Sequence, residues 1–535
     1  MPNGLNTGKS AGQERYNKVS AALIALFLVF GALYFISGSL PYLLAKQNPF
    51  YPVYQFEGNP QHIYILNRTI APLDLHLAGM VIVDPTLYGN TMVATLTVTN
   101  KTNFLEGTGG VVAVNLLNGS IIWTDKFPND VMTQPLIINN MAIIGLGNAV
   151  FNLSSSVVNG TEVKRATRGN GINFIAALNM TTGKMIWKYS TAGTDMPTPV
   201  YYDGMIIEGD GNAEAFAVNA TTGKLIWDTS LFMTGIPYHA SSANPNITIP
   251  QANSIVNTPV TGNFQINTSI IGSHIIGNPV IGSPIAGSPI TNRYTFVDQG
   301  TTIGPLGYFD SMSSPVLLNG IIYLGATEPG GFYAINATNG KIIWYAAYTG
   351  SRGGSGGMSP AICIKCNTVI SGYNGPNSFL ARALPNNKSI QPILVGVNLT
   401  DGHIMWRFDE GTGYQPVKPP ITLPSVTVWD GTVFSDTLSI GVLYAINATT
   451  GHLVWKFDSG PDLSNPTVYN GYVFLVNFNG TEITLTTSGR LVAEHNLGVP
   501  MGPADPIVVG NQMLVYGFNG VVKTVPLSYL ETNST

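Results

Sequence analysis

Four loops in this chain each carry one aspartate shortly before a proline-containing strand. They read NDVMTQP, GTDMPTP, YFDSMSSP and GPDLSNP. Only 10% of the residues are charged, against about 25% in an average soluble protein, so a recurring carboxylate is a candidate for acid–base chemistry. Aspartate is also a common turn residue that caps its own loop, which is the structural alternative at each position. The four residues are Asp130, Asp195, Asp310 and Asp462.

Asp310 is the strongest candidate of the four. It follows the aromatic pair Tyr308 and Phe309, and the next loop of this type, SRGGSGG, places an arginine among glycines. Arginine is a permanent cation, and glycine N–H groups can approach an anion closely. An acid beside such a cradle could bind an oxyanion and activate a water, so we predict a catalytic role for Asp310. The predicted substrate-binding residues are Arg352, Gly353, Gly354, His239 and Arg293.

The two cysteines, Cys363 and Cys366, are three positions apart. They would lie on opposite sides of a straight strand, but AICIKCNTVI is typical of a strand that turns into its neighbour, where the two ends approach. For an exported chain we predict a disulfide at this hairpin turn. A reactive thiol or a metal site is the alternative, although two sulfurs alone do not make a zinc site. No metal site is predicted.

The elements that must position these residues are copies of one hairpin. AALNMTTGKMIWKYS, AVNATTGKLIWDTSL, AINATNGKIIWYAAY and AINATTGHLVWKFDSG share Asn and Gly at a turn, with apolar residues on both sides, as in a β-hairpin. Six of the seven tryptophans occupy the same place, three or four residues after the turn glycine. They are Trp123, Trp187, Trp227, Trp344, Trp406 and Trp455.

Each hairpin is followed by a proline-containing strand, a turn and another strand, which makes four strands in a unit of about 40 to 50 residues, the spacing of propeller blades. Blades stack around a central axis, and the large aromatic fills the core between them, so the tryptophans are assigned a structural role. A degenerate copy at 484–498 and a last unit at 506–527 complete the count. We place the missing fourth strand of that last unit around residues 62–68, which predicts an all-β, eight-bladed propeller.

The repeat A-[VI]-N-x-[TL]-[TND]-G-[KH]-[LI]-[VIM]-W resembles that of the quinoprotein-like propellers, which include the pyrroloquinoline quinone (PQQ) dehydrogenases and non-catalytic relatives. A dehydrogenase of this kind implies a calcium site of acidic and amide ligands and, commonly, a disulfide between adjacent cysteines. No adjacent cysteines occur here. CIKCN has Asn367 where covalent haem attachment needs histidine. Neither PQQ nor haem is therefore expected as a cofactor.

The N-terminal segment differs from the rest. Residues 19–36 are apolar and follow Lys9, Arg15 and Lys18, the charge asymmetry of a segment that enters a membrane with its N-terminus inside. We predict a cytoplasmic tail at 1–18, a signal peptide or transmembrane anchor at 19–45, and the propeller at 46–535 with an insertion at about 232–305. The insertion is rich in Pro and Gly; decoration, a lid and a homodimer contact are the alternatives.

An extracellular or cell-surface chain, membrane-anchored or secreted, follows from this segment. The formal charge of −4 argues against a nucleic-acid partner. The scarcity of charge favours an acidic exterior, because amides and hydroxyls do not titrate there; a glycan-covered surface is the alternative. The candidate glycosylation sites are Asn-x-Ser/Thr sequons at Asn118, Asn179, Asn219, Asn336, Asn398 and Asn447.

Within the quinoprotein-like propellers, this composition is similar to that of the tetrathionate hydrolases of acidophilic sulfur oxidisers, including thermoacidophilic archaea. The resemblance implies hydrolysis of tetrathionate, a small dianion, to thiosulfate, sulfate and sulfur in acid. Asp310 would then exchange a proton with the attacking water or the leaving sulfur group. The alternatives are a non-catalytic membrane-anchored propeller that acts as a scaffold or adhesive module, and a PQQ-dependent dehydrogenase.

Overall fold

The computed structural model describes residues 65–66, 68–77, 79, 84–100, 103–148, 151–158, 161–212, 214–231, 258–264, 266–267, 280–281, 296–298, 301–303, 307–309, 313–326, 331–347, 359–374, 392–410, 426–436, 441–460, 462, 464–498, 504–517 and 520–532. Within these ranges the chain is almost entirely β-structure, with eight sheets each built on four antiparallel strands. Consecutive sheets share clusters of buried apolar side chains, as blades do around a common axis. The predicted eight-bladed β-propeller is therefore confirmed.

The first strands make the closing segment, blades 1 to 3 and a hairpin inserted in blade 2. In chain order they are β1 (Ile65–Leu66), β2 (Asp74–His76), β3 (Thr86–Tyr88), β4 (Thr91–Asn100), β5 (Asn103–Asn115), β6 (Ile121–Phe127), β7 (Leu136–Ile138), β8 (Met141–Leu146), the inserted β9 (Phe151–Val158) and β10 (Thr161–Arg168), β11 (Phe174–Asn179), β12 (Met185–Ser190), β13 (Val200–Tyr202), β14 (Met205–Gly209), β15 (Glu214–Asn219) and β16 (Leu225–Ser230).

The next strands belong to the large insertion and to blades 4 and 5. They are β17 (Thr258–Phe264), β18 (Ile266–Asn267), β19 (Val280–Ile281), β20 (Phe296–Asp298), β21 (Thr301–Ile303), β22 (Gly307–Phe309), β23 (Val316–Leu318), β24 (Ile321–Ala326), β25 (Gly331–Asn336), β26 (Ile342–Ala347), β27 (Ala361–Cys363), β28 (Thr368–Asn374), β29 (Pro392–Asn398) and β30 (Ile404–Asp409).

Blades 6 to 8 complete the wheel. Their strands are β31 (Thr427–Trp429), β32 (Thr432–Ser435), β33 (Val442–Asn447), β34 (Leu453–Asp458), β35 (Thr467–Tyr469), β36 (Tyr472–Val476), β37 (Thr481–Thr486), β38 (Leu491–Asn496), β39 (Ile507–Val509), β40 (Gln512–Tyr516) and β41 (Val521–Pro526), followed by one helical turn, α1 (Leu527–Leu530).

Each tryptophan-bearing outer strand carries a β-bulge just before the tryptophan. In blade 2, Ala177 pairs with Trp187 while Leu178 pairs with Met185, so Ile186 is the extra residue. The bulge shifts the alternation by one position and turns the indole towards the following blade. Trp187 donates its Nε1–H to the Ala220 carbonyl at 3.0 Å.

All six repeat tryptophans make this bond to the following blade, at 2.8 to 3.2 Å. The indole also packs on the turn glycine of that blade: a Cβ on Gly223 would lie 2.6 Å from the Trp187 ring. The glycine has φ +67, which also disfavours a side chain. The structural role predicted for the tryptophans is confirmed, because each one joins its blade to the next through a hydrogen bond and a packing contact.

Blade 8 is closed by the N-terminal part of the chain. β2 pairs antiparallel with β41, with Asp74 opposite Lys523, and Leu73 N–H donates to Thr524 Oγ1 at 2.8 Å. Our placement of this fourth strand at 62–68 was wrong, because β1 instead pairs in parallel with the innermost strand β39. The outer position requires a strand antiparallel to β41, and the chain reaches it only after reversing direction between β1 and β2.

A belt of hydrogen bonds joins the innermost strands at the hub. In five pairs of adjacent blades, the residue before the strand's proline donates its backbone N–H to the side chain of the equivalent residue in the next blade. The bonds are Gln134 to Thr198 (3.1 Å), Thr198 to Ser314 (2.8 Å), Ser314 to Ser359 (3.0 Å), Asn465 to Asp505 (2.5 Å) and Asp505 to Asp84 (2.5 Å). The hub is therefore lined by polar groups, and the loops before it are held at one face, here called the mouth face.

Two insertions leave the propeller at the mouth face and form a separate sheet. The hairpin of β9 and β10 interrupts blade 2; β17 pairs with β9, and β22 pairs in parallel with β10. In that parallel pair Phe309 lies opposite Thr167. The sequence did not predict this hairpin, which gives the larger insertion its partner strands.

Candidate functional site

Three loops meet at the mouth face between blades 2 and 3. Arg168 ends the inserted hairpin, Thr194 lies in the loop from blade 2 to blade 3, and Gly211 lies in the β14–β15 loop. Arg168 N–H donates to the Gly211 carbonyl, Gly211 N–H to the Thr194 carbonyl, and Thr194 N–H to the Arg168 carbonyl, each at 2.9 Å. This closed triangle of backbone bonds fixes the end of the inserted hairpin on the propeller.

Three buried carboxyl groups lie beneath this triangle: Asp195, Glu208 and Asp210. Strand residues alternate in direction, and Ile206 packs with Ile143 and other blade 2 side chains, so Glu208, two positions on, also faces blade 2. Glu208 is 1% exposed and neither of its carboxyl oxygens has a hydrogen-bond partner within the described residues. We call these three residues the blade 2–3 cluster.

Most hydrogen bonds of the other two members come from their own loops, and Asp210 also accepts the backbone N–H of Gly193 in the blade 2–3 loop. Thr191 donates its hydroxyl to Asp195 Oδ2, while Asp195 Oδ1 lacks a partner within the described chain. Asp210 Oδ1 accepts the backbone N–H groups of Asn212 at 2.9 Å and Glu214 at 3.0 Å. Asp210 is thus a turn acceptor as well as a member of the cluster.

The pKa values of all three carboxyl groups are raised. Burial raises the pKa of Asp195 well above its usual range, and the charge of Asp210 adds to this. Burial, followed by the charges of Asp195 and Asp210, does the same to the pKa of Glu208. The pKa of Asp210 rises to about 7, mainly through burial and then through the charge of Glu214. In acid the cluster is therefore neutral.

Glycines allow the loops to approach this closely. A Cβ on Gly145 would overlap the Asp195 carbonyl oxygen and lie 2.7 Å from Thr133 Oγ1. A Cβ on Gly211 would overlap the Arg168 carbonyl. Backbone groups on both sides leave these positions no room, so the cluster sits in a close-packed frame.

A second group of buried carboxyls lies at the mouth face between blades 5 and 7, and its acids have hydroxyl partners. Ser435 donates to Glu410 Oε1 at 2.7 Å, and Ser459 donates to Asp436 Oδ2 at 2.7 Å. Burial still raises the pKa of Glu410 to about 8, although the Ser435 hydrogen bond opposes the shift. We call this set the blade 5–7 cluster.

Of the four predicted loop aspartates, three lie within the described residues, and all three are buried. Asp195 belongs to the blade 2–3 cluster. Asp462 accepts the Ser464 N–H at 2.9 Å, and the Asp130 carbonyl accepts the Gly147 N–H at 3.0 Å. The remaining predicted site residues lie outside the described residues: Asp310, Arg352, Gly353, Gly354, His239 and Arg293.

Sequence reasoning missed Glu208, Asp210 and Arg168. The signal for the first two was present in GMIIEGDG, where an acid ends an apolar strand that reads as buried. No local pattern indicated Arg168, because its position depends on an inserted hairpin that sequence reasoning did not find.

The two cysteines form a disulfide, with Cα atoms 5.2 Å apart. They flank a 3₁₀ turn (Ile364–Cys366) that joins β27 to β28, at the end of the blade opposite the mouth face. The bond therefore does not take the place of the adjacent-cysteine disulfide that a quinone-dependent enzyme implies. Within the described residues there is also no group of three or more His, Cys, Asp or Glu side chains arranged to hold a metal.

The sequon asparagines have a structural use at the hairpin turns. Asn219 Oδ1 accepts the N–H groups of Thr221 and Thr222, at 3.1 and 2.9 Å. The same bonds recur at Asn179 and Asn447. Turn chemistry alone thus explains why Asn-x-Thr repeats here.

Comparison with known proteins identifies the family to which this propeller belongs. A model of the PQQ-type family described as "Outer membrane protein assembly factor BamB" matches residues 87–236 and 390–523, more than half of the chain. The chain belongs to this BamB-like family of PQQ-type propellers. Among solved structures, this BamB-like propeller is similar to a europium-containing methanol dehydrogenase, with a TM-score of 0.52 and 11% identity, covering 88% of this chain and 90% of that one.

Two curated relatives of this BamB-like chain are tetrathionate hydrolases. The protein from Acidithiobacillus ferrooxidans is 23% identical over 79% of this chain and 70% of its own length. The protein from Acidianus ambivalens is 23% identical over 79% of this chain and 68% of its own length. None of the helices within the described residues has the length and apolar character needed to cross a bilayer.

Proposed function

We propose that this protein is an extracytoplasmic hydrolase that converts tetrathionate to thiosulfate, sulfate and sulfur in acid. The observation that carries the proposal is the alignment of two tetrathionate hydrolases, from a bacterium and from an Acidianus species, with most of this propeller. The neutral blade 2–3 cluster supports it, because a mouth whose buried acids hold their protons in acid does not repel a dianion.

The reaction balances as S₄O₆²⁻ + H₂O → S₂O₃²⁻ + SO₄²⁻ + S + 2 H⁺. The attacking water therefore has to lose its protons, and a carboxylate is the group that accepts them. We assign this role to Asp310, with Arg352 and its neighbouring glycines binding the sulfonate oxygens. To act as a base in acid, the carboxylate needs a pKa held low by a neighbouring cation.

The position of β22 supports a role for Asp310. β22 pairs with the inserted hairpin next to the blade 2–3 cluster, and Asp310 is the residue that follows it in the sequence. The proposal includes no quinone or other cofactor.

The test is to incubate the purified protein with tetrathionate at acid pH and to follow thiosulfate. Asp310→Asn should lower kcat by roughly 100-fold or more, the usual contribution of a general base. Asp203→Asn is the matched control, because Asp203 lies in the β13–β14 turn on the opposite face with φ 45, a conformation that asparagine adopts readily. Full activity of a folded Asp310→Asn protein would contradict the assignment.

A scaffold or binding module is the second candidate, and one observation favours it. The outer strands begin with exposed aliphatic residues in most blades, on the face opposite the mouth, with exposed fractions of 40% to 58%. They are Ile121, Ile122, Met185, Ile186, Leu225, Ile226, Ile343, Leu453, Val454 and Leu491. Recurrent apolar residues on a rim suit contact with another macromolecule. A folded protein that releases no thiosulfate at any acid pH would favour this candidate over the hydrolase.

A further inference from the structure

We propose that Arg168 is a substrate-binding cation and that the blade 2–3 cluster is the element that restricts anion binding to acid. The inference rests on the proposed function for the identity of the substrate, tetrathionate. It rests on the described residues alone for the existence of an anion site at the end of the inserted hairpin.

The backbone of Arg168 is held in a fixed position. Its backbone N–H and carbonyl are both held in the loop triangle, by Gly211 and Thr194, so the side chain starts from an anchored point. Arg168 is half-buried at the end of β10. Thr167, the residue before it, pairs with Phe309, the residue before Asp310 in the sequence. A guanidinium is the side chain best suited to sulfonate oxygens, because it is planar, bidentate and charged at every accessible pH.

Several buried polar atoms of the blade 2–3 loop and cluster lack hydrogen-bond partners within the described residues. Glu208 Oε1 and Oε2, Asp195 Oδ1 and Thr194 Oγ1 are buried, and none has a partner within the described residues. An unsatisfied buried polar group is costly in a structure with only a structural purpose. Protonated carboxyl groups are donors, so in acid this set presents donors rather than negative charge to an anion held at the loop triangle.

Titratable side chains set the charge balance around the site. The titratable groups packed there are almost all acidic, so the sign of the local charge depends on pH. They are Asp195 in the blade 2–3 loop, Glu208 in β14, Asp210 in the β14–β15 loop, Glu214 in β15, Tyr189 in β12 and Asp228 in β16.

Ionisation of this set opposes anion binding. In acid Asp195, Glu208 and Asp210 hold their protons and add no negative charge to this part of the mouth face. When Asp210 ionises at about pH 7, the site acquires negative charge in a poorly solvated place, where repulsion of a dianion is weakly screened. Affinity for the anion should therefore fall as pH rises through this value.

Arg168→Gln and Asp210→Asn test the proposal together. In wild type, KM for tetrathionate should rise as pH passes about 7, with a smaller change in kcat. Arg168→Gln should raise KM by about 10- to 100-fold at acid pH, the effect of losing a charge-assisted hydrogen bond. Arg168→Lys should retain part of the affinity, and Asp210→Asn should flatten the rise of KM above pH 7. Arg490→Gln, exposed at a turn on the opposite face, is the control.

The outcomes separate this proposal from the proposed function. If wild type hydrolyses tetrathionate and Arg168→Gln keeps its KM, the inference is wrong while the function stands. If no tetrathionate is hydrolysed, equilibrium binding of thiosulfate and sulfate decides the inference by itself: at acid pH Arg168→Gln should bind them at least about 10-fold more weakly than wild type, and equal affinity would overturn the inference. A structural role for Arg168 predicts loss of kcat and of melting temperature together, with KM unchanged. If Arg168→Gln does not fold, pH-independent anion binding by wild type and Asp210→Asn alike would overturn the proposal.

Discussion

In the blade 2–3 and blade 5–7 clusters, an acid and a hydroxyl residue occupy the same two positions of a blade, one in a strand and one in the preceding loop. The two residue types are exchanged between the clusters. β14 and β32 each begin opposite the turn asparagine of their blade, Asn219 and Asn447. Three residues later one strand has Glu208 and the other has Ser435. The preceding loop begins with Thr191 in the first case and with Glu410 in the second.

This exchange of residue types determines which acid accepts a hydrogen bond from a neighbouring hydroxyl group. In the blade 5–7 cluster the strand serine donates directly to the loop glutamate at 2.7 Å. In the blade 2–3 cluster the loop threonine donates to Asp195 instead, and the strand glutamate has no partner among the described residues. The same two positions thus hold Glu410 with a hydroxyl donor on one carboxyl oxygen, and Glu208 with no partner on either oxygen among the described residues. Glu208 lies where the inserted hairpin joins the propeller.

The largest effect on stability is expected from adding a side-chain carbon at Gly145, behind the blade 2–3 cluster. Gly145→Ala would place a Cβ against the Asp195 carbonyl and Thr133 Oγ1, and should lower the free energy of unfolding by about 3 kcal/mol or more. Gly110→Ala is the matched control, since its Cβ would meet nothing closer than 3.5 Å. Chemical denaturation of both variants measures this, and equal stability of the two would show that the frame around Asp195 yields easily.

The next effect is the dependence of stability on pH. The folded-state pKa is raised to about 7 for Asp210 and to about 8 for Glu410 and Glu482. Between its unfolded and folded pKa values, each group holds a proton in the folded state that the unfolded chain has released. Each group should therefore lower the free energy of unfolding by about 1.4 kcal/mol per pH unit in that window.

The contribution of these groups to the free energy of unfolding should thus be greatest below about pH 4. It should fall as the pH rises towards 8. Denaturant titrations at a series of pH values measure the slope. A free energy of unfolding that rises between pH 5 and 8 would show that these carboxyl groups are ionised in the folded protein.

A smaller effect is expected from removing a hydroxyl in the blade 5–7 cluster. Ser435→Ala leaves Glu410 without its donor and should cost about 1–3 kcal/mol, while raising the pKa of Glu410 further. Ser488→Ala, an exposed turn serine, should change the free energy of unfolding by less than about 0.5 kcal/mol. Indistinguishable unfolding curves for the two variants would remove the contrast between the clusters.

Much of the fold was predictable because its signals are local and repeated. Turn glycines such as Gly223 and indoles such as Trp187 recur at fixed spacing, and each contact they make is with the next copy. The closing strand was misplaced because the pairing of β2 with β41 joins residues more than 400 positions apart, and no spacing rule marks it.

The candidate site was predicted only in part. The loop position of Asp195 followed from its distance to the strand proline, which the hub belt fixes. Glu208 and Arg168 could not be placed, because one depends on which face of β14 meets blade 2, and the other on an inserted hairpin paired with a distant strand. Both placements depend on tertiary contacts that the repeated blade sequence does not specify.

The most direct test of the central claim is the protonation state of Glu208. Infrared difference spectra of wild type and Glu208→Gln, recorded near pH 6, report the carbonyl stretch of protonated carboxyl groups. We expect a protonated carboxyl band in wild type that is missing in Glu208→Gln, because burial and two neighbouring acids keep this group neutral. Identical spectra in the protonated carboxyl region, with a carboxylate band that the variant lacks, would contradict the account.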